Sequence, residues 1–557
     1  MPPNFVGVDV GTGSARAGVF TADGRLLGRA EAPITTWQPA PLHVEQSSDE
    51  IWSACCAAVR AAVAAAGCDA GSLAGIAFDA TCSLVALDGA DRPVSVSTTG
   101  RDEQNVVVWM DHRAVDEAAH ITSTGGAPLA YVGDVMSPEM QTPKLLWLRR
   151  HLPDAWARAA RFLDRPDFLV YRATGDDRRS MCSAVCKWTY LGERRAWDAG
   201  FFEAIGLGDL VEEGFARIGR EVVDVGVPMG SGLAEEAAAA LGLPAGLPVS
   251  SSIIDAHAGA LGLLGIDADA AGDAGEPLPV GRLALVFGTS ACHLTVSGGA
   301  IAVPGVWGPY FAALLPDAFL AEGGISAAGA LLDHLVASHP AGVMATAAAG
   351  RADRSVFDVL NDRLDALAGG EPPGVLTRHR HVLPYHLGNR SPLADPSLSG
   401  TATGLSLTTD VDDLALSYLA AVQSLAYGTR HIVETLVAEG HEVRTILMTG
   451  SGMHNRLLVA EHADATGLPV VLPAEADSVL LGAAVLAGVA SGHHPSIGTG
   501  MRRMARPGAV VEPRPGLVAY HDAKYAVYRR MHADQLAYRA IMDGTSGVGG
   551  APTAVGG

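Results

Sequence analysis

Asp255 is the residue that the sequence best equips to move a proton. The run 249–254, three serines followed by two isoleucines after Val249, reads as a buried strand ending on this carboxylate, with a helix expected over 256–264. A carboxylate at such a junction can accept a hydroxyl proton, or it can cap the helix by accepting backbone N–H groups. The local sequence weighs the two evenly. The chemistry that would use the first is phosphoryl transfer, in which a base orients an alcohol toward a metal-bound phosphate.

Phosphate calls for a turn that can approach it closely. Asp9 stands before Gly11, Thr12, Gly13 and Ser14. Glycines let the backbone bend sharply, leaving N–H groups and two hydroxyls for phosphate oxygens. Asp9 and Asp255 could then hold Mg²⁺. Alone, the motif reads equally as an ordinary hairpin. There is no Gly-x-x-x-x-Gly-Lys-Ser/Thr run, and a strand rather than a helix is expected after the turn, so neither a P-loop nor a dinucleotide fingerprint is present. A second turn, Gly288, Thr289 and Ser290, follows a strand expected over 283–287. A third, Gly450, Ser451 and Gly452, breaks a strand into a helix headed by Asn455; such a helix start suits a nucleotide, or is simply a βα turn.

Candidate sugar contacts are Asp79 with Thr81, Cys82 and Ser83; Trp109, Asp111, His112 and Arg113; Lys187; and Glu322. Trp109 could lie against the apolar face of a sugar while Asp111 and Arg113 bond its hydroxyls. Singly these read as a core Trp, a solvated helix start, an exposed Lys and a turn Glu. Their company favours a sugar.

The elements that must position these residues begin with a strand meander over 5–10, 15–20 and from 25 onward, then a helix over 49–66. Strand and helix patterns alternate to about residue 265, the mark of an α/β domain. Residues 266–279 have linker composition, and the strand–turn–strand element then recurs at 283–291. Two related halves would bracket a ligand between their turns. A small-residue helix over 479–490 is expected to pack beneath the Gly450 turn. A polar-faced helix follows over 523–542, and a low-complexity end over 544–557 is expected to lack order.

With 557 residues, 48% of them apolar, the chain suits two large domains. Its formal charge of −21 argues against nucleic acid or an anionic membrane as partner, though not against phosphate held by amides and a cation. A second copy of the chain, as a homodimer, is the one macromolecular partner left open. Lysines are confined to Lys144, Lys187 and Lys524. Of seven cysteines, Cys182 and Cys186 lie four apart, with no second pair or His cluster nearby in sequence to complete a metal set, so reduced thiols are expected. The start lacks a secretory pattern and 479–490 is too short to span a bilayer, so a cytoplasmic protein is expected.

In this order the motifs resemble the FGGY family of carbohydrate kinases over about residues 5–515. The resemblance rests on Gly7 to Thr12, Trp109 to Arg113, Asp255 in its Ile-Asp-Ala-His setting, Phe287 to Ser290 and Thr449 to Gly452, with Lys144 to Leu148 as a recurrent structural helix. It implies two ribonuclease H-like (actin-like ATPase) domains, an N-terminal one over 1–265 and a C-terminal one over 280–515, with a helix over 516–542 and a tail over 543–557. ATP·Mg²⁺ and sugar would lie in the cleft between them, with Asp255 as general base and Asp9 on Mg²⁺. The three Gly turns and Asn455 would hold the nucleotide. Residues 81–85 look like the D-ribulose kinase branch, and Lys187 and Glu322 match ketose-contacting positions. Gln423 departs from the Glu common in the C-terminal signature, at a site that reads as structural. L-Ribulose, xylulose, a polyol or glycerol remain alternative acceptors; a sensor that binds without catalysis, or an ATPase of the same lobed fold, are competing readings.

Overall fold

The computed structural model describes residues 3–266 and 278–544. The linker residues 267–277 and the tail beyond 544 lie outside the described residues.

Two sheets dominate, and they repeat one another. In the first, strands run in the order Ile253–Ile254, Leu73–Ala80, Asn4–Val10, Ser14–Thr21, Leu26–Pro33. In the second, the order Val470–Pro473, Val443–Thr449, Gly281–Phe287, Ala291–Ser297, Phe319–Ile325 reproduces it, with Trp307–Phe311 and Pro507–Val511 added at the two edges. In each sheet a tight hairpin occupies the centre and a parallel strand pairs with its first arm. This is the ribonuclease H-like order, twice.

The expected meander and helices are present. Helix Ser48–Ala66 starts on Ser47, whose side chain accepts the Glu50 N–H at 3.3 Å, and stops at Gly67 with φ of 61°. The strand expected over 249–254 forms a ladder at Ile253 and Ile254 alone, with isolated bridges from Val249 to Ile76 and from Ser250 to Pro228. The serines explain the shortening. Ser251 donates to Asp224 O at 2.9 Å, Ser252 donates to Asp167 at 2.6 Å, and the Ser252 carbonyl accepts from Ser180 at 2.6 Å. Side chains here take bonds that a ladder would otherwise supply.

Helix Ser478–Ala490 departs from expectation. Its first residue does reach the Gly450 region, where Thr449 Oγ1 donates to Ser478 Oγ at 3.0 Å. The rest leaves the second sheet, packing against strands Asn4–Val10 and Leu73–Ala80 and against helix Asp255–Leu264. A Cβ on Gly482 would stand 1.8 Å from the Ala258 carbonyl oxygen, so the two backbones cross at a distance only glycine permits. The last helix, Val518–Asp543, starts before the expected 523 and is pinned by Lys524, whose Nζ donates to Thr377 O at 2.7 Å and Arg380 O at 2.8 Å. Among the described residues no helix is long and apolar enough to cross a membrane.

Candidate active site

Three carboxylates meet at the end of the first sheet. Asp9 and Asp79 sit opposite one another on parallel neighbours, and Asp255 follows the short strand paired to Asp79 and Ala80. Asp9 and Asp79 are fully buried, and among the described residues no donor hydrogen-bonds to any of their four oxygens. Arg16, directly across the hairpin from Asp9, forms an ion pair with it but lacks hydrogen-bond geometry. Burial raises the Asp9 carboxyl against the opposing pull of Arg16. Burial, then the Asp9 charge, drives Asp79 well above the carboxylate range. Asp255 is half-buried, and burial followed by Asp9 pushes it up to about 6. Carboxylates crowded this way repel when ionised, and a hard divalent cation relieves the repulsion by taking their free oxygens. The donor set fits Mg²⁺.

Asp255 also begins helix Asp255–Leu264, and its Oδ1 accepts the Ala256 N–H at 2.7 Å. It is the first residue of the helix rather than its N-cap, which is Ile254.

Above Asp9, Gly11 N–H closes its turn on Ser14 O at 3.0 Å, leaving Gly13 exposed at the tip and Thr12 and Ser14 half-buried. Trp109 Nε1 donates to Thr12 Oγ1 at 3.0 Å, fixing the indole beside the turn. In the second sheet, Gly288 N–H closes on Ser290 O at 2.8 Å, and Thr289 is exposed. The Thr289 carbonyl accepts from Ala328 and Ala330 at the start of helix Gly329–Ser338. Gly450, with φ of 84°, and Gly452 press against Phe287, so the third turn lies beside the second; Ser451 Oγ reaches Phe287 O at 3.4 Å. Asn455 is buried in structure: it caps helix Arg456–Thr466 through Leu458 N–H, accepts from Asn361 and donates to Tyr418. Its expected contact with nucleotide would have to displace these bonds.

The sugar candidates separate into two groups. Lys187 and Glu322 come together from opposite halves of the chain. Arg390 ion-pairs with Glu322, and both Lys187 Nζ (4.3 Å) and the Arg390 guanidinium (4.1 Å) lie over the Trp307 ring. Burial alone would raise Glu322, but Lys187 and Arg390 hold it below the usual range. Burial would lower Lys187, yet facing Cys82 and Glu322 raise it. Glu139 joins this group: against burial, His112 (3.6 Å away), Arg390 and Lys187 bring its carboxyl down to about 2. Cys82 is half-exposed, and burial pushes its thiol up.

Asp111 and Arg113 belong elsewhere. Arg113 donates to both Asp111 oxygens, to Glu45 at 2.8 Å and to Val96 O at 2.7 Å, while Asp111 also accepts from Val44 N–H at 2.6 Å. Both are buried in a network that braces the segment around Trp109, and their polar atoms bind protein where sugar hydroxyls were expected. Thr81 and Ser83 are similar. Thr81 is held by Arg165, and Ser83 Oγ accepts Trp109 N–H at 3.2 Å. Lys144 completes the brace by donating to Val108 O and Trp109 O.

Two family models match: the N-terminal domain of the FGGY family of carbohydrate kinases over residues 4–262 and its C-terminal domain over 283–491. The chain belongs to the FGGY family of carbohydrate kinases. A human "FGGY carbohydrate kinase domain-containing protein" is 47% identical over 97% of this chain and 98% of its own length. A D-ribulokinase of Saccharomyces cerevisiae is 40% identical over 87% and 72% of the two chains. Solved structures share the fold at lower identity. A Rhodospirillum rubrum xylulose kinase matches with TM-score 0.76 at 23% identity over 96% of this chain and 99% of its own. A Plasmodium falciparum glycerol kinase with ADP matches with TM-score 0.73 at 15% over 96% and 98%. This FGGY chain is thus an ATP-dependent sugar kinase of two-domain, actin-like architecture. Its Gln423 has a plain structural task, donating to Gly374 O and Glu461 Oε2, both at 2.8 Å.

Sequence reasoning missed Arg16, Glu139, Trp307 and Arg390, and it read Asp79 as a sugar contact rather than as a partner of Asp9. Asp79 carried a signal: it ends an apolar strand as Asp9 does. Arg390 and Glu139 lie in irregular segments whose role emerges only from their spatial neighbours.

Proposed function

We propose that this kinase phosphorylates the terminal hydroxyl of a ketopentose, D-ribulose before others, with Asp255 as the base. The observation that carries this reading is the position of Asp255. It stands beside the crowded Asp9–Asp79 carboxylates. Cys82, which senses Asp255 as well as Lys187 and Glu322, links it to the Lys187–Glu322–Arg390 group, a source of ligands for several hydroxyls or a carbonyl. Asp9 and Asp79 would hold Mg²⁺, which neutralises charge on the transferring phosphoryl group. The Gly11 and Gly288 turns would present backbone amides to phosphate oxygens, and the Gly450 turn would flank the nucleoside. Asp255, ionised above its pKa, takes the sugar proton as the hydroxyl oxygen moves toward the γ-phosphorus. Trp109, held by Thr12 and braced from below, forms an apolar wall. Closing the cleft excludes water and limits idle hydrolysis.

The preference for D-ribulose is supported by the yeast relative and by the character of residues 81–85. ADP release should be measured with ATP·Mg²⁺ against D-ribulose, L-ribulose, D-xylulose, L-xylulose, ribitol and glycerol. The highest kcat/KM is expected for D-ribulose; a higher value for another acceptor would reassign the substrate and keep the kinase chemistry.

A further inference from the structure

Beneath the sugar group lies a cluster that the phosphoryl-transfer chemistry does not use. Cys182 and Cys186, one turn apart on helix Met181–Lys187, point the same way toward His257 on helix Asp255–Leu264. Their two Sγ atoms and a His257 ring nitrogen all lie within 4.8 Å of one another. Cys186 Sγ is 3.6 Å from His257 Nε2, which in turn is 3.7 Å from Glu322 Oε2. All four residues are buried, and among the described residues Glu322 Oε2 has no hydrogen-bond partner. Neighbouring ligand atoms around a tetrahedral Zn²⁺ are separated by about 3.3–3.8 Å, given its usual bond lengths. The Sγ–Nε2 separation of 3.6 Å matches, and the Nε2–Oε2 separation of 3.7 Å lies within a few tenths of an ångström of it.

The chemistry of the donors agrees with the spacing. Thiolate and imidazole select soft or borderline cations over Mg²⁺. Two thiolates and a carboxylate around a divalent ion leave one negative charge, and Lys187 and Arg390 stand beside Glu322 to balance it. A second buried group, Glu461, Asp464 and His521, does not compare: Arg514 and Gln423 already occupy its carboxylates.

The ligands also come from both lobes. Cys182, Cys186 and His257 belong to the N-terminal half, and Glu322 belongs to the strand Phe319–Ile325 of the C-terminal half. We propose that Cys182, Cys186, His257 and Glu322 form a Zn²⁺-class site that fastens the two lobes together across the floor of the cleft. Each thiol releases its proton to solvent as the metal–sulfur bond forms. A kinase so fastened is held from the opening that admits sugar and releases product, and it loses Glu322 from the sugar group.

The test is a titration of the full-length, reduced, chelator-treated protein with Co²⁺ and then Zn²⁺. A single Co²⁺ per chain should bind with thiolate-to-cobalt charge-transfer absorption, and stoichiometric Zn²⁺ should abolish that absorption. Zn²⁺ should also inhibit turnover. Cys182→Ser, a residue outside the sugar and phosphate groups, should keep its turnover while its affinity for Co²⁺ falls about a hundredfold. Cys182→Ala serves if the serine variant melts early. Absence of the charge-transfer band from folded wild-type protein, or its persistence in both variants, overturns the proposal. The binding readout stands even if the acceptor proves not to be a ketopentose.

Discussion

The two central hairpins share a backbone plan, and three matched positions at their ends set them apart. In the first, Asp9 faces Arg16 across the hairpin and Asp79 on the parallel strand. In the second, the corresponding positions are Val286, Cys292 and Thr449. One end of the pseudo-repeat therefore concentrates buried charge, and the other carries none at these positions. A scaffold that is duplicated need not duplicate its chemistry. The neutral hairpin can pack Val286 against helix Asp255–Leu264, while the charged one gives up that packing to hold carboxylate oxygens to which no described group hydrogen-bonds. Such unpaired groups cost stability, and their retention marks where a ligand is expected to complete them.

Removing the base should have the largest effect. Asp255→Asn is expected to lower kcat about a thousandfold while leaving the circular dichroism spectrum and melting temperature close to wild type. Residual turnover within tenfold of wild type would remove Asp255 from its role. Next comes transplanting charge to the neutral hairpin. Val286→Asp has no counterpart of Arg16 at Cys292 and should destabilise the fold by about 1–3 kcal/mol, read as a shift in the urea midpoint. An unchanged midpoint would mean that the two hairpins are equally tolerant of charge.

Asp79→Asn should separate function from stability. Turnover is expected to fall about tenfold with a raised Mg²⁺ requirement. The melting temperature should instead rise at pH 8, and rise less at pH 5. The sign follows from burial: the folded pKa of Asp79 lies above its unfolded value, so folding favours the protonated form. Stability present below the unfolded pKa is therefore lost as pH rises toward the folded one, and an amide escapes that loss. A melting temperature that falls at pH 8 would contradict the unpaired state of the carboxylate. Mildest is the pH profile of the intact enzyme. Because burial and Asp9 place the Asp255 carboxyl at about 6, sugar kcat/KM should fall about tenfold per unit below that point and level off above it. A profile that is flat down to pH 5 would detach the rate from this group.

Local turn chemistry made the hairpins, the Gly450 turn and the Asp255 junction legible in the sequence, since Gly, Thr and Asp announce such geometry within a few residues. Long-range charge balance was not legible. Asp111 and Arg113 look like free polar groups until Glu45 and the Val96 carbonyl are brought against them. The Cys182–Cys186 pair looked incomplete because His257 and Glu322 are distant in sequence. Helix Ser478–Ala490 showed its small-residue composition plainly, but composition could not say which backbone it would meet.

That helix imposes an order on the birth of the molecule. Strands Asn4–Val10 and Leu73–Ala80 leave the ribosome early, yet one of their covers is encoded near residue 480. At ordinary elongation speeds the nascent first lobe waits on the order of tens of seconds with that face open. Chain breaks at the linker, or a stalled ribosome anywhere before Ser478, would strand a lobe whose own sequence cannot finish it.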